Sequence, residues 1–193
     1  ICMRTSNCQE QIHFVLDRAD RLYAIEDAVR AGAIPKRVTH NDPGYNNILL
    51  DQDTGKALCL IDLDTVMSGA SVNDFGDAVR MGAASVTEFE RDGDVELDLK
   101  LYRAYLEGYL YYMGAHLNQE EKDFLGESVW LAAMERGIRY LTDYLNGGYV
   151  GSDFSDEKEY LYCAVNQFYL VLDMEEKQEQ MEEILREVLM SAE

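Results

Sequence analysis

The amino-acid sequence predicts an α+β fold that is mostly helical, and three observations support this. Only two prolines occur among 193 residues, at Pro35 and Pro43, so long helices can follow them. Apolar residues recur at helical spacing before Gly32 and again from residue 72 onward. Between these regions, short apolar runs flank a turn sequence in the pattern of a β-hairpin. The length and the 47% share of hydrophobic residues suit one globular domain.

The elements before residue 72 begin with a first helix, predicted over residues 9–31. Its apolar positions repeat every three or four residues, and Gly32 and Pro35 end it. The hairpin comes next, with strands predicted over residues 48–50 and 57–61. The residues between these strands, DQDTGK, have the composition of a turn, so we expect the two strands to pair.

The rest of the chain is predicted to be helical. Asn118 and Glu121 have the spacing of a capping box, and Gly147-Gly148 is a typical end for the helix that this box begins. Ser155 is expected to open the helix after it, with acidic residues in the first turn. The predicted helices span residues 74–84, 95–117, about 118–145, 155 onward and about 175–190.

Composition excludes several kinds of partner. The 17 basic and 37 acidic residues give a net charge of −20, which disfavours nucleic acid and anionic membrane surfaces as partners. The sequence has no apolar run long enough to span a membrane and no signal-peptide pattern. The four cysteines and three histidines are too dispersed for a zinc site. Cysteine usage of this kind is typical of a reducing cytoplasm, so a cytoplasmic location is expected.

One polar segment carries the pattern H-x-D-x-x-x-x-N, formed by His40, Asp42 and Asn47. The predicted hairpin follows it and leads to Asp62 and Asp64 in the sequence IDLD. Phosphoryl transfer needs a carboxylate to orient the acceptor hydroxyl and receive its proton, and Mg²⁺ prefers hard oxygen ligands. The alternative interpretation is an ordinary polar loop before a hairpin. The joint match of spacing and structural context favours a phosphoryl-transfer centre over that alternative.

Several further segments extend this pattern over most of the chain. They are RVTHND (residues 37–42), NNILLD (46–51), IDLDTVM (61–67), DFGDAVR (74–80), RYLTDYL (139–145) and QFYLVLDME (167–175). With these segments the sequence resembles the C-terminal lobe of the aminoglycoside phosphotransferase and choline kinase superfamily. More closely, it resembles the N-acetylhexosamine 1-kinases, which phosphorylate the anomeric hydroxyl of N-acetylglucosamine and N-acetylgalactosamine.

The resemblance implies a protein-kinase-like C-terminal lobe, with ATP as co-substrate and Mg²⁺ as cofactor. It also implies that Asp42 is the catalytic base and that Asn47 and Asp62 are Mg²⁺ ligands. Asp64, Arg139 and Tyr149 would bind the substrate, and His40 and Asp77 would be structural supports. Asp64 is expected either to support the metal or to contact the sugar. His40 is expected to hold the loop rather than to take part in catalysis.

The resemblance also implies a division of the chain. Residues 1–35 would be a leading helix, 36–84 the catalytic loop, hairpin and metal segment, and 85–193 a helical acceptor-binding subdomain. No glycine-rich phosphate loop or strand-borne lysine precedes His40, so an N-terminal lobe covering ATP is expected to be missing from this chain. The isolated chain is therefore expected to be inactive and to bind MgATP weakly.

Two alternatives remain for the function. The acceptor could be another alcohol, such as an aminoglycoside or choline, since an acidic chain can provide acidic walls for a cation. The chain could also be a binding or regulatory module without phosphotransfer activity. Pro43-Gly44 motivates this second alternative, because relatives often carry Thr-Lys there and the lysine offsets charge on the transferring phosphate.

Overall fold

The computed structural model describes residues 2–90, 94–148, 154 and 156–192. Helices dominate and the strands are short, so the predicted α+β, mostly helical class is confirmed. The helices are α1 (Cys2–Asn7), α2 (Gln9–Leu16), α3 (Ala24–Arg30), α4 (Ser71–Gly82), α5 (Leu99–Met113), α6 (Gln119–Asp123), α7 (Leu125–Asn146), α8 (Lys158–Glu176) and α9 (Gln178–Ala192). The strands are β1 (Arg37–Thr39), β2 (Ile48–Leu50), β3 (Ala57–Leu60) and β4 (Met67–Gly69).

The prediction of a single helix over residues 9–31 is wrong. The segment consists of α2, a 3₁₀ turn at Ala19–Arg21, and α3. Its helical geometry is interrupted where two arginines reach across to the helical core. Arg18 donates to both carboxylate oxygens of Glu175 at 2.8 and 2.7 Å, and Arg21 does the same with Glu127 at 2.9 and 2.6 Å. Helix propensity is a weak preference, and these charge-assisted contacts outweigh it.

The predicted hairpin is confirmed, because β2 and β3 pair antiparallel, with Ile48 opposite Leu60. A second antiparallel pair was not predicted. In it, β1 pairs with β4, and Val38 lies opposite Ser68. The two pairs bracket the segment between β1 and β2. This segment, the candidate catalytic loop, is therefore held at both ends by strands.

Helix α7 is at the centre of the fold and packs against α4 on one side and α8 on the other. Glycines permit the close approach on both sides. A Cβ at Gly137 would lie 2.5 Å from the ring of Phe168, and a Cβ at Gly76 would overlap the backbone carbonyl of Ser128. Trp130, on the same helix, is buried in this core with 2% exposure. No helix in the described part of the chain is long and apolar enough to cross a membrane.

Some helices begin and end where the sequence predicts, and others do not. The capping box of Asn118 and Glu121 is present, but the chain turns at Phe124 and divides the predicted helix into α6 and α7. Gly147 ends α7 in the left-handed conformation at φ 92°, as predicted. Helix α5 begins at Leu99, because the Asp98 side chain caps the backbone N–H groups of the first turn. The start predicted at Ser155 lies outside the described residues.

Candidate active site

The candidate catalytic loop is fixed by one carboxylate of α4. Asp74 accepts the backbone N–H of His40 at 2.7 Å and that of Asn41 at 2.8 Å. Asn41 has a φ of 65°, a left-handed conformation that asparagine tolerates better than most residues. The Asn41 side chain also donates to the carbonyl of Thr65 at 2.8 Å. The loop is thereby tied to both α4 and the segment after the hairpin.

Asp42 and Asn47 lie in direct contact at the end of this loop. The Asn47 amide nitrogen donates to the Asp42 carboxylate at 3.0 Å and to the Asp42 carbonyl at 2.9 Å. Asn47 is buried and Asp42 is half-buried, and the bond to Asn47 uses one of the two carboxylate oxygens of Asp42. The Asn47 nitrogen is thus used on Asp42, and the amide oxygen is the atom of this side chain that could bind a cation.

Asp62 and Asp64 add two carboxylates beside this pair. The hydrogen bond and the negative charge of Asp64 raise the pKa of Asp62, and the charge of Asp42 adds to the rise. Three carboxylates are therefore close enough to repel one another. Asp62 also has a left-handed backbone, with φ 60° and ψ 57°. Non-glycine residues in this conformation are costly and concentrate at functional sites.

This donor set fits Mg²⁺. It consists of hard oxygens, from the Asn47 amide that contacts Asp42 and from the carboxylates of Asp62 and Asp64, and Mg²⁺ prefers such ligands. No group of three or more His, Cys, Asp and Glu side chains in the described part of the chain has the arrangement of a metal site. The set here combines an amide oxygen with carboxylates, so it is suited to a hard cation and not to zinc.

His40 is buried and links the loop to the segment that carries Asp62. Its Nε2 atom is 3.1 Å from the carbonyl oxygen of Ile61, and its own carbonyl accepts from the Thr65 hydroxyl at 2.7 Å. Its Nδ1 atom has no hydrogen-bond partner among the described residues. The contacts of the His40 ring and backbone thus join the two sides of the site.

A cavity of about 230 Å³ opens beside the loop. It is lined by Asn41, Pro43, Asn73, Asp74, Asp77, Ser128, Leu131, Ala132, Glu135, Arg136 and Arg139. The structure thus places Arg139, an exposed residue of α7, on the wall of a cavity that borders the candidate catalytic loop. Tyr149, the other predicted sugar contact beyond α4, lies outside the described residues.

Asp77 has a different environment from the one expected. It lies within α4, which begins earlier at Ser71, and it accepts a hydrogen bond from Arg80 Nε at 2.8 Å. The loop's backbone is held by Asp74 instead. Asp77 and Asp74 belong to the same DFGD sequence, and the spacing in the sequence does not show which carboxylate faces the loop.

A buried ionic network behind this cavity was also not predicted. Arg80 is 2% exposed and contacts Asp77, Glu88 and the side-chain oxygen of Gln167. The hydroxyl of Tyr140 donates to Glu88 at 2.6 Å. Burial, together with the charge of Glu88, raises the pKa of Tyr140. The tyrosine therefore remains a proton donor to the carboxylate at any physiological pH.

A second unpredicted anchor holds β1, the strand that leads into the loop. Arg37 donates to both carboxylate oxygens of Glu121, at 2.6 and 2.8 Å. Glu121 is fully buried and also accepts from the hydroxyl of Ser71 at 3.2 Å and from the backbone of Asn118 at 2.9 Å. The capping-box spacing predicted only the bond to Asn118. Glu121 in fact joins α6, α4 and β1.

Pro43-Gly44, the departure noted in the sequence, is packed against α4. Gly44 is buried, and a Cβ there would overlap the side-chain oxygen of Asn46 and lie 3.0 Å from the terminal methyl of Met81. A lysine at this position requires both neighbours to move. Both contacts are with the ends of flexible side chains, so the packing disfavours a larger residue at position 44 without excluding it.

The chain is similar to a known protein family. The model of the phosphotransferase enzyme family matches residues 2–117. The matched range contains the candidate catalytic loop, the hairpin and helices α4 and α5, and it ends before α6. It supports the resemblance to the aminoglycoside phosphotransferase and choline kinase superfamily, and it does not single out the N-acetylhexosamine kinases.

Proposed function

This chain belongs to the phosphotransferase enzyme family, and we propose that it is the catalytic C-terminal part of an ATP-dependent sugar kinase. The proposed reaction transfers the γ-phosphoryl group of ATP to the anomeric hydroxyl of an N-acetylhexosamine. The observation that carries the proposal is the direct contact of Asp42 with Asn47, beside Asp62 and Asp64. It brings a proton-accepting carboxylate next to a hard-cation donor set.

In the proposed reaction, Asp42 is the catalytic base. The Asn47 amide fixes one oxygen of its carboxylate, and the other oxygen accepts the proton of the anomeric hydroxyl. The sugar oxygen then bonds to the γ-phosphorus, and the bond from that phosphorus to the bridging oxygen of ADP breaks. Positioning and charge stabilisation supply most of the acceleration in such reactions, so the rigid loop held by Asp74 is central to the proposal.

Asn47 and Asp62 are the proposed Mg²⁺ ligands, with Asp64 supporting Asp62. Mg²⁺ bound there supplies positive charge to the triphosphate. The raised pKa of Asp62 comes first from its hydrogen bond with Asp64 and then from the charges of Asp64 and Asp42, so the three side chains lie near one another.

The lining of the cavity beside the loop carries charges of both signs. Asp74 has both carboxylate oxygens occupied by backbone N–H groups, and Asp77 is paired with Arg80. Two arginines, Arg136 and Arg139, line the same cavity. Glu135 lines it as well, so charge alone does not choose between a cation such as choline and a sugar, whose hydroxyls accept hydrogen bonds from guanidinium groups. The sugar is proposed on the resemblance of the sequence motifs.

We also propose that a separate N-terminal lobe covers ATP over the hairpin. Apolar side chains of the hairpin and the segment after it are exposed to solvent. They are Leu49, Leu50, Leu58, Leu60, Ile61 and Leu63, with exposures of 37–64%. Exposed apolar patches of this kind mark surfaces that another part of a protein or a ligand covers. They adjoin the carboxylates of the candidate site, where a nucleotide would have to lie.

The test is ³¹P NMR of the full-length protein with MgATP and four acceptors: N-acetylglucosamine, N-acetylgalactosamine, choline and kanamycin. A sugar-1-phosphate signal is expected, and it should disappear in Asp42→Asn. Asp53→Asn, in the exposed hairpin turn, is the matched control and should leave the signal intact. Asp62→Asn should raise the Mg²⁺ concentration needed for half-maximal activity.

Other results would change the proposal in specific ways. A phosphorylated product only with choline or kanamycin would keep the kinase and discard the sugar. No product with any acceptor, together with acceptor binding, would indicate a binding or regulatory module without phosphotransfer activity. Pro43-Gly44 in place of Thr-Lys is the feature of the sequence that motivates this second outcome.

A further inference from the structure

A second cavity adjoins the one beside the catalytic loop. It measures about 480 Å³, roughly twice the first at about 230 Å³. The two cavities share the side chains of Asn73, Leu131 and Glu135 as a common wall. Small-molecule sites in proteins usually enclose about 300–1,000 Å³, so the first cavity alone is small for a binding site and the pair is not.

The lining of the second cavity combines apolar walls with a polar edge. Its apolar side chains come from the leading segment and from α7, and they are Leu22, Ile25, Val29, Leu131 and Ile138. Glu26, Lys36 and Ser68 supply charged and polar groups, and all three are exposed. Tyr23 also lines this cavity, and its side chain is 60% exposed.

The wall that carries Tyr23 is held in place before any ligand binds. Just before it in the chain, Arg21 pairs with Glu127 of α7 and lies over the ring of Trp130, with 4.1 Å from the guanidinium carbon to the ring centroid. These contacts break the helix predicted over residues 9–31 and bring the residues after Arg21 alongside α7. The wall of the second cavity is therefore a consequence of that break.

A sugar ring has the chemistry that this lining would recognise. Its C–H face is apolar and packs on aliphatic and aromatic side chains, while its hydroxyl edge hydrogen-bonds to charged and polar groups. An alkyl chain would offer no hydrogen-bonding group to this edge, where Lys36 and Ser68 are exposed. The exposed Tyr23 ring provides a flat surface of the kind on which a sugar face packs.

We propose that the second cavity binds a second sugar ring, so that the acceptor is a disaccharide whose reducing-end unit occupies the first cavity. This inference rests on the proposed sugar kinase function. Asn41 and Pro43, the neighbours of Asp42 in the chain, line the first cavity, and in this proposal the anomeric hydroxyl of the reducing-end unit faces that part of the loop. The second ring is therefore joined through another carbon of that unit. Tyr23 then determines acceptor length and takes no part in the chemistry.

Isothermal titration calorimetry on the full-length protein tests this inference. The ligands are N-acetylglucosamine, N-acetylgalactosamine, and disaccharides with either sugar at the reducing end, linked through C3, C4 or C6. The 6-O-octanoyl ester of N-acetylglucosamine represents an acceptor with an apolar tail. At least one disaccharide is expected to bind more tightly than its monosaccharide.

Variants of Tyr23 then identify the subsite. Tyr23→Ala should weaken binding of that disaccharide by about two- to tenfold, the range for an aromatic contact, and leave the monosaccharide unchanged. Tyr23→Phe should retain the tighter binding. Tyr111→Ala, at an exposed tyrosine of α5 outside both cavities, is the control and should change neither affinity.

The possible failures are distinguishable. Monosaccharide binding without any gain from a second ring overturns the inference and leaves the sugar kinase standing. Tighter binding of the octanoyl ester, with no gain from any disaccharide, also overturns it and assigns the cavity to an apolar substituent. An absence of binding by every sugar refutes the proposed function, and the inference fails with it.

Discussion

Replacing Glu121 with glutamine tests whether one buried carboxylate holds the entrance to the catalytic loop. Glu121 is fully buried, and it accepts two hydrogen bonds from Arg37, one from Asn118 and one from Ser71. Glutamine has nearly the same shape and keeps one acceptor oxygen. The variant therefore removes the charge and part of the network without creating a large cavity.

The expected loss of stability follows from the burial of the two partners. Removing one partner of a buried ion pair costs about 3–5 kcal/mol, because the remaining charge stays buried. The Arg37 side chain is 28% exposed, so water can solvate part of its guanidinium in the variant. We therefore expect the free energy of unfolding to fall by about 2–3 kcal/mol, below that range.

The pH dependence of this loss provides a second measurement. Burial by itself would raise the pKa of Glu121, but the hydrogen bonds from Arg37 and the Asn118 backbone outweigh it and hold the pKa below its usual value. A carboxyl whose folded pKa is depressed contributes fully above its unfolded pKa, about 4.3, and loses that contribution as pH falls through the folded pKa. The difference between wild type and Glu121→Gln should therefore be constant above about pH 5 and narrow below it.

Urea unfolding followed by circular dichroism, repeated between pH 7 and pH 3, measures both quantities. Glu120→Gln is the matched control, because Glu120 is the exposed neighbour in the same first helical turn and should change stability by less than about 0.5 kcal/mol. A Glu121→Gln variant as stable as this control would refute the reasoning. So would a stability difference that stays constant across the whole pH range.

Three further predictions concern the loop and the helical core. Asp74→Asn should lower kcat in steady-state kinetics and reduce the free energy of unfolding by about 1–3 kcal/mol, because it weakens two charge-assisted hydrogen bonds to the loop. An unchanged kcat would show that the loop keeps its conformation without these bonds. Gly76→Ala should destabilise by about 1–3 kcal/mol in thermal unfolding, because its methyl group would overlap α7. Gly108→Ala, at an open site on α5, should instead stabilise by about 0.5–1 kcal/mol, and equal effects would contradict this packing argument. Arg80→Met should cost about 3–5 kcal/mol in urea unfolding by leaving Glu88 without its buried partner, and a loss below about 1 kcal/mol would count against the ionic network.

Local features of the fold could be predicted because each depends on residues close together in the sequence. The hairpin of β2 and β3 follows from two apolar runs around a turn, and the capping box follows from the spacing of Asn118 and Glu121. Gly147 ends α7 because glycine adopts a positive φ without a steric penalty. Membership of the phosphotransferase family followed from motifs, and the family match supports it.

Other features depended on contacts between distant residues, and the sequence did not show them. The break in the leading helix results from Arg18 and Arg21 pairing with carboxylates on α8 and α7. The pairing of β1 with β4 joins two strands that have little hydrophobic pattern of their own. Sequence patterns show the periodicity of apolar residues within one helix or strand, and neither of these features changes that periodicity.

The candidate site shows the same division. The sequence by itself determined the chemical groups of the site, because residues of these types occur at a characteristic spacing within one segment. The groups are a carboxylate at Asp42, an amide at Asn47 and carboxylates at Asp62 and Asp64. Only the tertiary structure decided which groups support them. It assigned the loop to Asp74, made Glu121 the anchor of β1, and placed two cavities side by side along α7. The physical reason is that hydrogen bonds, ion pairs and cavity walls depend on which distant side chains meet, and packing of the whole chain determines that.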